Sequence, residues 1–443
     1  VVYNNLYQGL VRINRSGDVV PCLATDWSVS PDGQSYTFSL REGVLFHDGT
    51  DFTAQDVVYS FQRLMDSETG VPHPEYYRNI DSIEAEGDHL VKFALSRPDS
   101  GFLYDLARGD SVIFPSDQKN PSESPIGTGP FKFGEWRKGY SITLNRFRQY
   151  YEDSLPYLNS VEFRFISDPS SMVSALKAGD IDVIGYGLPS ELARSLSEEK
   201  GLKVLEGLST TDVILGMNNS SSPLDDPMVR KAISYAVNRE EIIEGATFGY
   251  GEPIGSHMSP LNNLYLDLTW VRKSNPSKAK NLLEKAGYPD GFSVNLTLPS
   301  PYRYAVRSGV IVAQQLRKVG IEVKITEVDM GRWLSNVFET ANYDLTIIGH
   351  AEPFDIGIYS DPGYYFRYDN PEFREVLSRA SRSSIAQREK LYAVAQWILA
   401  TDNPVAYLFE LPSLPAMDQR VKNWWKDYPT IANDVTEVWV RPE

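Results

Sequence analysis

Cysteine is almost absent. Cys22 is the only one in 443 residues, so the chain can form no intrachain disulfide and carries no CxxC metal or redox motif. That excludes a small disulfide-stapled secreted domain but not an extracytoplasmic location, because a large core needs no staples. Between Pro21 and Leu23, the cysteine reads as a small core residue and not as a reactive thiol. Long apolar runs are missing too. No stretch approaches the roughly 18 residues of a membrane span, and the chain does not open with the basic and apolar regions of a signal peptide. Positive charge is scarce: 43 Lys and Arg stand against 59 Asp and Glu, a formal net charge of −16. Nucleic acid and anionic lipid would repel such a chain as a whole.

Histidine is the last scarcity, with five residues at 47, 73, 89, 257 and 350, never in an HExxH or CxxC…H spacing. No zinc ligand set is expected from them. His350 and Glu352 come nearest, since on a strand they would share a face, but two ligands do not make a metal site. Nucleophile motifs are equally thin. Ser174–Lys177 and Ser277–Lys280 match SxxK without an accompanying KTG, and both lie in ordinary amphipathic helix patterns. There is no GxSxG and no Walker loop; Gly127-Thr-Gly129-Pro130 runs into the strand-like Phe131-Lys132-Phe133 and not into a helix N-terminus. Asp225-Asp226 reads as helix capping and not as an acid and base pair. The chain is therefore expected to be no enzyme, with no cofactor and no metal.

What is present suits a large folded protein. Hydrophobic residues make up 42% and charged residues 23%, too apolar for disorder, and the length suggests two or three domains. The first part is written in hairpins. Asp26–Ser30, then Pro31-Asp32-Gly33, then Tyr36, Phe38 and Leu40 on alternate positions predict strand, turn, strand. The same signals recur at Leu90–Phe93, and at Phe131–Trp136 and Ser141–Asn145 across Lys138-Gly139. One helix is set among them: Thr53 and Asp56 form a capping box ahead of Val57, Val58, Phe61, Leu64 and Met65 on one face.

The style then changes to helix and strand in alternation. Met172–Ala178, stopped by Gly179, precedes a strand at Ile181–Ile184; Tyr304–Val319, stopped by Gly320, precedes one at Ile321–Ile325. Both read as βαβ layers. Asp226-Pro227 and Asn275-Pro276 place a cap and an N1 proline before two further helices. The polar Asn218–Pro223 predicts a lobe crossing, with the second crossing at Asp402-Asn403-Pro404 or at Pro412 and Pro415. The first lobe is expected at 1–220, with an inserted subdomain at about 28–125, the second at 221–407, and a return to the first at 408–443.

Several stretches, taken in order, resemble one family. They are Asn5–Val11, Pro21–Trp27, Pro31–Phe38, Leu40–Gly49 and Phe52–Val58, then Pro125–Phe133, Ala175–Val183 and Val229–Arg239. Together they resemble the extracellular solute-binding proteins of the peptide/nickel class, the dipeptide- and oligopeptide-binding subunits of ABC importers. The resemblance implies an α/β fold of two hinged lobes with an additional β-rich subdomain inserted in the first. It implies a monomer outside the cytoplasmic membrane that closes on a solute and delivers it to a membrane permease. A ligand touching both lobes binds the closed state better than the open one, and that difference shifts the hinge equilibrium. Measured against the family, one N-terminal strand and loop, and a signal peptide or lipobox, would lie upstream of Val1.

The resemblance also suggests a site. Peptide binders of this family pair the ligand backbone with an extended segment that matches Tyr343–His350. Dipeptide binders place an aspartate four residues beyond its glycine, where Pro353 stands here, and an arginine just before a Pro-Tyr, where Ser300 stands before Pro301-Tyr302. With both anchors displaced, an oligopeptide is expected over a dipeptide, the alternative being an oligosaccharide, an opine or a nickel chelate on the same fold. The ligand-binding candidates are Glu352, His350, Asp355, Arg303, Arg307, Trp333 and Tyr359. Glu352, next to Pro353, is expected to hold a ligand cation in preference to Asp355.

Overall fold

The computed structural model describes residues 2–66, 74–118, 124–352, 354–383, 385–430 and 433–442. After a two-stranded ribbon, Val11–Ile13 with Val19–Pro21, the first part of the chain builds two larger antiparallel sheets. The first has the order Ala24–Val29, Ser35–Leu40, Leu90–Leu95, Ile80–Ala85, with its predicted turn closed at Gly33, whose φ of +71° suits glycine. Alternation buries Tyr36, Phe38, Val91 and Phe93 on one face. Helix Ala54–Met65 covers that face with Val57, Val58, Phe61 and Leu64, while Met65, expected on the same stripe, is exposed. The capping box forms as predicted: the Thr53 amide donates to Asp56 Oδ2 at 2.8 Å. The second sheet, Phe131–Arg137, Ser141–Arg146 and Ser160–Arg164, packs on both chain ends, with Leu6, Phe131, Leu144, Met417, Val421, Val435 and Val438 in one cluster.

The two predicted βαβ layers turn out differently. Helix Pro169–Ala178 does end at a left-handed Gly179, but the strand after it is short, Val183–Ile184, and pairs antiparallel with the returning Ala416–Asp418. Leu202–Val204 completes that three-stranded sheet. The other layer is a true βαβ: Phe292–Pro299 and Ile321–Val328 are parallel neighbours joined by helix Arg303–Arg317. They form the edge of a six-stranded mixed sheet in the order Glu252–Pro253, Val405–Ser413, Gly207–Met217, Leu345–His350, Phe292–Pro299, Ile321–Val328.

Both faces of the large sheet are covered. Val213, Leu215, Leu345, Ile347, Ala406 and Leu408 meet helices Pro227–Ala236, Arg239–Thr247, Pro276–Lys285 and Arg303–Arg317. Ile214, Ile348, Val405 and Tyr407 point the other way, into an aromatic core with Trp333, Tyr359, Tyr365, Phe366 and Phe373.

Two antiparallel strands carry the chain between the small and large sheets. The steps fall at Leu205–Glu206 and Leu414–Pro415, where the Leu205 amide donates to Pro415 O at 2.9 Å. Asn218–Pro223, expected to cross, does not leave the large sheet: Asn218 Nδ2 donates to Ala341 O and Tyr343 O, and Asn219 Nδ2 to Phe366 O and Pro404 O. Asn403 is likewise held there by Arg230 and Arg272. Polar side chains here satisfy strand ends and do not mark a linker.

Asp226 caps helix Pro227–Ala236 by accepting from the Met228 amide at 2.7 Å. Asp226→Ala is therefore expected to cost about 1 kcal/mol in a urea melt. No change would show that Pro227 alone sets this helix start.

Candidate functional site

The cleft between the lobes is bridged at two places. Glu191, on helix Ser190–Ser197 of the small-sheet unit, accepts from Arg307 at 2.9 and 3.1 Å and from Arg303 at 3.5 Å, both from the first turns of helix Arg303–Arg317. Burial works against the Glu191 carboxylate, but the hydrogen bonds from Arg307 outweigh it and hold its pKa below the usual range. The second bridge is Arg108 with Glu352, 3.4 Å apart. Arg108 follows helix Phe102–Asp105 of the inserted unit, lies flat over Tyr76 and also faces Asp110. Beside it Tyr104 and Phe354 meet across the cleft, their ring centroids 5.9 Å apart and their planes tilted by 36°.

These two rings line a cavity of about 710 Å³ between the inserted sheet and the second lobe. Trp27, Tyr36, Tyr104 and Phe354 give it aromatic walls, Asp99 an acid and Arg388 a cation. Arg388 donates to Ser100 O and lies over Phe354 and Tyr392, while its buried Nε has no partner among the described residues.

Under the cleft end of the large sheet lies a buried polar cluster. The register sets His350 against Asp212 and Asp212 against Glu410 on three adjacent strands, so their side chains share one face. His257 approaches that face from the loop after Glu252–Pro253, its Nδ1 3.9 Å from Asp212 Oδ2. Asp355 binds both imidazoles, with Oδ1 at 2.8 Å from His257 Nε2 and Oδ2 at 3.4 Å from His350 Nδ1. The distal nitrogens meet tyrosines: His257 Nδ1 lies 3.2 Å from the Tyr359 hydroxyl and His350 Nε2 lies 2.9 Å from that of Tyr365.

The charges follow from this geometry. Burial raises the pKa of Asp212 and Glu410, the latter to about 7. Burial pulls against both His257 and Asp355, but each favours the charged form of the other, so the His257 pKa rises and that of Asp355 falls. His350, with burial dominant, falls. Neither oxygen of Glu410, nor Oδ1 of Asp212, has a hydrogen-bond partner of ordinary geometry among the described residues. Asp212 and Ser259 are nonetheless near enough to oppose the effect of burial on Glu410.

Of the sequence candidates, Glu352, Arg303 and Arg307 stand at the cleft, at one end of the sheet because the parallel strands Phe292–Pro299 and Leu345–His350 that precede them both end there; the Gly349 amide donates to the Tyr304 hydroxyl at 3.1 Å. His350 and Asp355 are in the buried cluster. Trp333 is core, its indole donating to Thr346 Oγ1 at 3.0 Å, and Tyr359 is core beneath His257. The strand ends at His350, so Glu352 does not share a strand face with it. Pro353, on which the reading of Glu352 leaned, lies outside the described residues, as does His73. Ser174, Lys177, Ser277 and Lys280 are exposed on helices, and Lys177 pairs with Glu199. Cys22 is buried, its thiol pKa pushed up by that burial to about 11. Sequence reading missed Arg108, Asp212, His257, Arg388 and Glu410. Asp212 and Glu410 did leave a signal, each a lone acid inside an apolar strand.

A family model described as bacterial extracellular solute-binding proteins, family 5 Middle, matches residues 18–368. The chain belongs to that family. Among curated relatives, the Glutathione-binding protein GsiB of Escherichia coli (strain K12) is 28% identical over 446 residues, 96% of this chain and 87% of its own. That of Salmonella typhimurium is 31% identical over 341 residues, 76% of this chain and 66% of its own. Among solved structures, DppA from Helicobacter pylori in complex with the peptide STSA is 27% identical with a TM-score of 0.79, over 99% of this chain and 93% of that one. The PBP AgaA in complex with agropinic acid, from A.tumefacien R10, is 28% identical with a TM-score of 0.77, over 100% and 94%. This family 5 protein is a solute-binding subunit of an ABC importer and not an enzyme, with the two-lobed α/β fold. No helix among the described residues is long and apolar enough to cross a membrane.

Proposed function

We propose that the protein captures an oligopeptide outside the cytoplasmic membrane, as a monomer, and presents it closed to a membrane permease. The lobes hinge at Leu205–Glu206 and Leu414–Pro415. One observation carries the reading: an acid of one lobe and a cation of the other, Glu352 and Arg108, pair across the cleft, and Tyr104 and Phe354, close to them in the chain, line a large aromatic-walled cavity. A zwitterion can separate that pair, its ammonium taken by Glu352 and its far carboxylate by Arg108 or, deeper, by Arg388. The ligand then bridges the lobes, as closure requires. A volume of about 710 Å³ lies inside the usual range for ligand pockets and has room for several residues. Asp355 is committed to two histidines, so of the two acids flanking Pro353 in the sequence Glu352 is the one assigned to the ligand. Arg303 and Arg307, held by Glu191, close the other edge. An opine is the second reading, favoured by the likeness to AgaA over the full chain, since it offers the same two charges. An oligosaccharide would offer neither charge to replace that pair, and a nickel chelate is the remaining member of the panel.

Peptides of two to six residues, opines, sugars and nickel chelates in a thermal-shift panel test this. A true ligand at 100 times its Kd adds about 2.7 kcal/mol, and peptides longer than two residues are expected to give the largest shift. A response to sugars alone overturns the assignment. For the ligand so found, Glu352→Gln is expected to weaken binding about tenfold by calorimetry. The loss is smaller than for a fully desolvated pair because the Glu352 side chain is 42% exposed where Arg108 is 18%. Unchanged affinity removes Glu352 from the site.

A further inference from the structure

The cluster beneath the cleft has a geometry that its hydrogen bonds alone do not require. One donor atom each from His257, His350 and Asp355 lies within 4.8 Å of the other two. Donors about 2 Å from a common zinc ion stand roughly 3.4 Å apart at tetrahedral angles; the carboxylate oxygens of Asp355 are 2.8 and 3.4 Å from the two imidazole nitrogens. The outer partners are those of a ligating histidine. With His257 Nε2 and His350 Nδ1 turned inward, the opposite nitrogens face Tyr359 and Tyr365, whose hydroxyls can accept the remaining N–H and fix each ring. The His350 ring is further held flat on Tyr365, 7° from parallel.

Charge supplies an independent reason. Two buried carboxylates, Asp212 and Glu410, and the half-buried Asp355 lie about two imidazoles, and none of them is paired with an arginine or lysine among the described residues. Three of those carboxylate oxygens, both of Glu410 and Oδ1 of Asp212, have no hydrogen-bond partner of ordinary geometry among the described residues. A divalent ion would offer these acids a positive charge that no arginine or lysine here supplies.

We propose that His257, His350 and Asp355 bind one divalent transition-metal ion, zinc or a close substitute, tying the loop that carries Glu352 and Phe354 to the sheet end beneath it. Two imidazoles and a carboxylate suit zinc, cobalt or nickel better than magnesium or calcium. The site stands apart from the peptide reading, since His257 is buried, His350 and Asp355 are half-buried beside it, and none is needed to hold a solute.

The test is a titration of chelator-treated, solute-free protein with Zn²⁺ by calorimetry, and with Co²⁺ by visible absorption. One saturable equivalent is expected, with the intense absorption of low-coordinate Co²⁺. His350→Gln and Asp355→Asn should each lose at least tenfold in affinity, and Tyr359→Phe, one step removed, about 10–100-fold. Should Asp355→Asn fail to fold, the wild-type Co²⁺ spectrum and His350→Gln decide. Absence of a saturable equivalent in the wild type overturns the proposal. So do several weak equivalents that survive His350→Gln, which would place the ions on the acidic surface.

Discussion

Asp355→Asn is expected to destabilise the metal-free protein by about 3–5 kcal/mol, the cost of breaking a buried pair by removing one partner. The carboxylate joins two imidazoles, at 2.8 and 3.4 Å, and both of its oxygens accept. An amide keeps the shape but turns one acceptor into a donor aimed at a histidine nitrogen. His257 then sits fully buried beside Asp212 with its charge partner gone, and must give up its proton or change tautomer against Tyr359. Urea denaturation in the presence of chelator measures the loss. A change under about 1 kcal/mol would mean that the cluster carries no charge pair and that His257 is neutral.

The same residue shows what a sequence can and cannot reveal. Asp355 stands in Glu352–Tyr359, a stretch with neither helical nor strand period, and its partner His257 lies 98 positions away. Nothing local links them. They meet because His350 ends one central strand and the loop after Glu252–Pro253 returns over the same sheet end, a juxtaposition fixed by strand order. Strand order of a mixed sheet is a long-range property that local periodicity does not encode.

Where the physics is local, the residues spoke plainly. Thr53 and Asp56, Asp226-Pro227, Asn275-Pro276 and the glycines at 33, 139 and 179 were legible because capping and positive φ act within a few positions. The crossing at Asn218–Pro223 was misplaced for the converse reason. Asparagine and serine look the same in a linker as at a strand end, where they satisfy backbone groups of distant segments. Trp333 and Tyr359 were drawn toward the cleft by sequence proximity to the matching strand, yet the aromatic core behind the sheet claims them, as it claims most tyrosines with a buried polar partner. Glu352 was reached through its neighbours; the first-lobe residue facing it, Arg108, lies 244 positions earlier, where no pattern points across the cleft.

Glu410→Gln is expected to flatten part of the dependence of stability on pH. Glu410 is fully buried and lies opposite Asp212 in the register, and burial raises its pKa from 4.5 to about 7 against the opposing effect of Asp212 and Ser259. A folded-state pKa above the unfolded one means that the folded protein holds the proton more tightly. The resulting stability is fully present below about 4.5 and is lost as pH rises through about 7, in all about 3 kcal/mol at roughly 1.4 kcal/mol per pH unit. Asp212 and His257, both raised, lose stability in the same direction. Asp355 and His350, both lowered, lose it as pH falls, so the raw profile of the wild type is a sum of opposing terms. The difference between variant and wild type isolates the one group. Glutamine keeps the size and stands in for the protonated acid, so between about pH 5 and about pH 8 the difference in unfolding free energy should move toward the variant by about 2.5 kcal/mol. Urea melts in chelator at the two pH values measure it. An equal difference at both would show that Glu410 holds its charge state across this range and that Asp212 alone carries the proton of the pair.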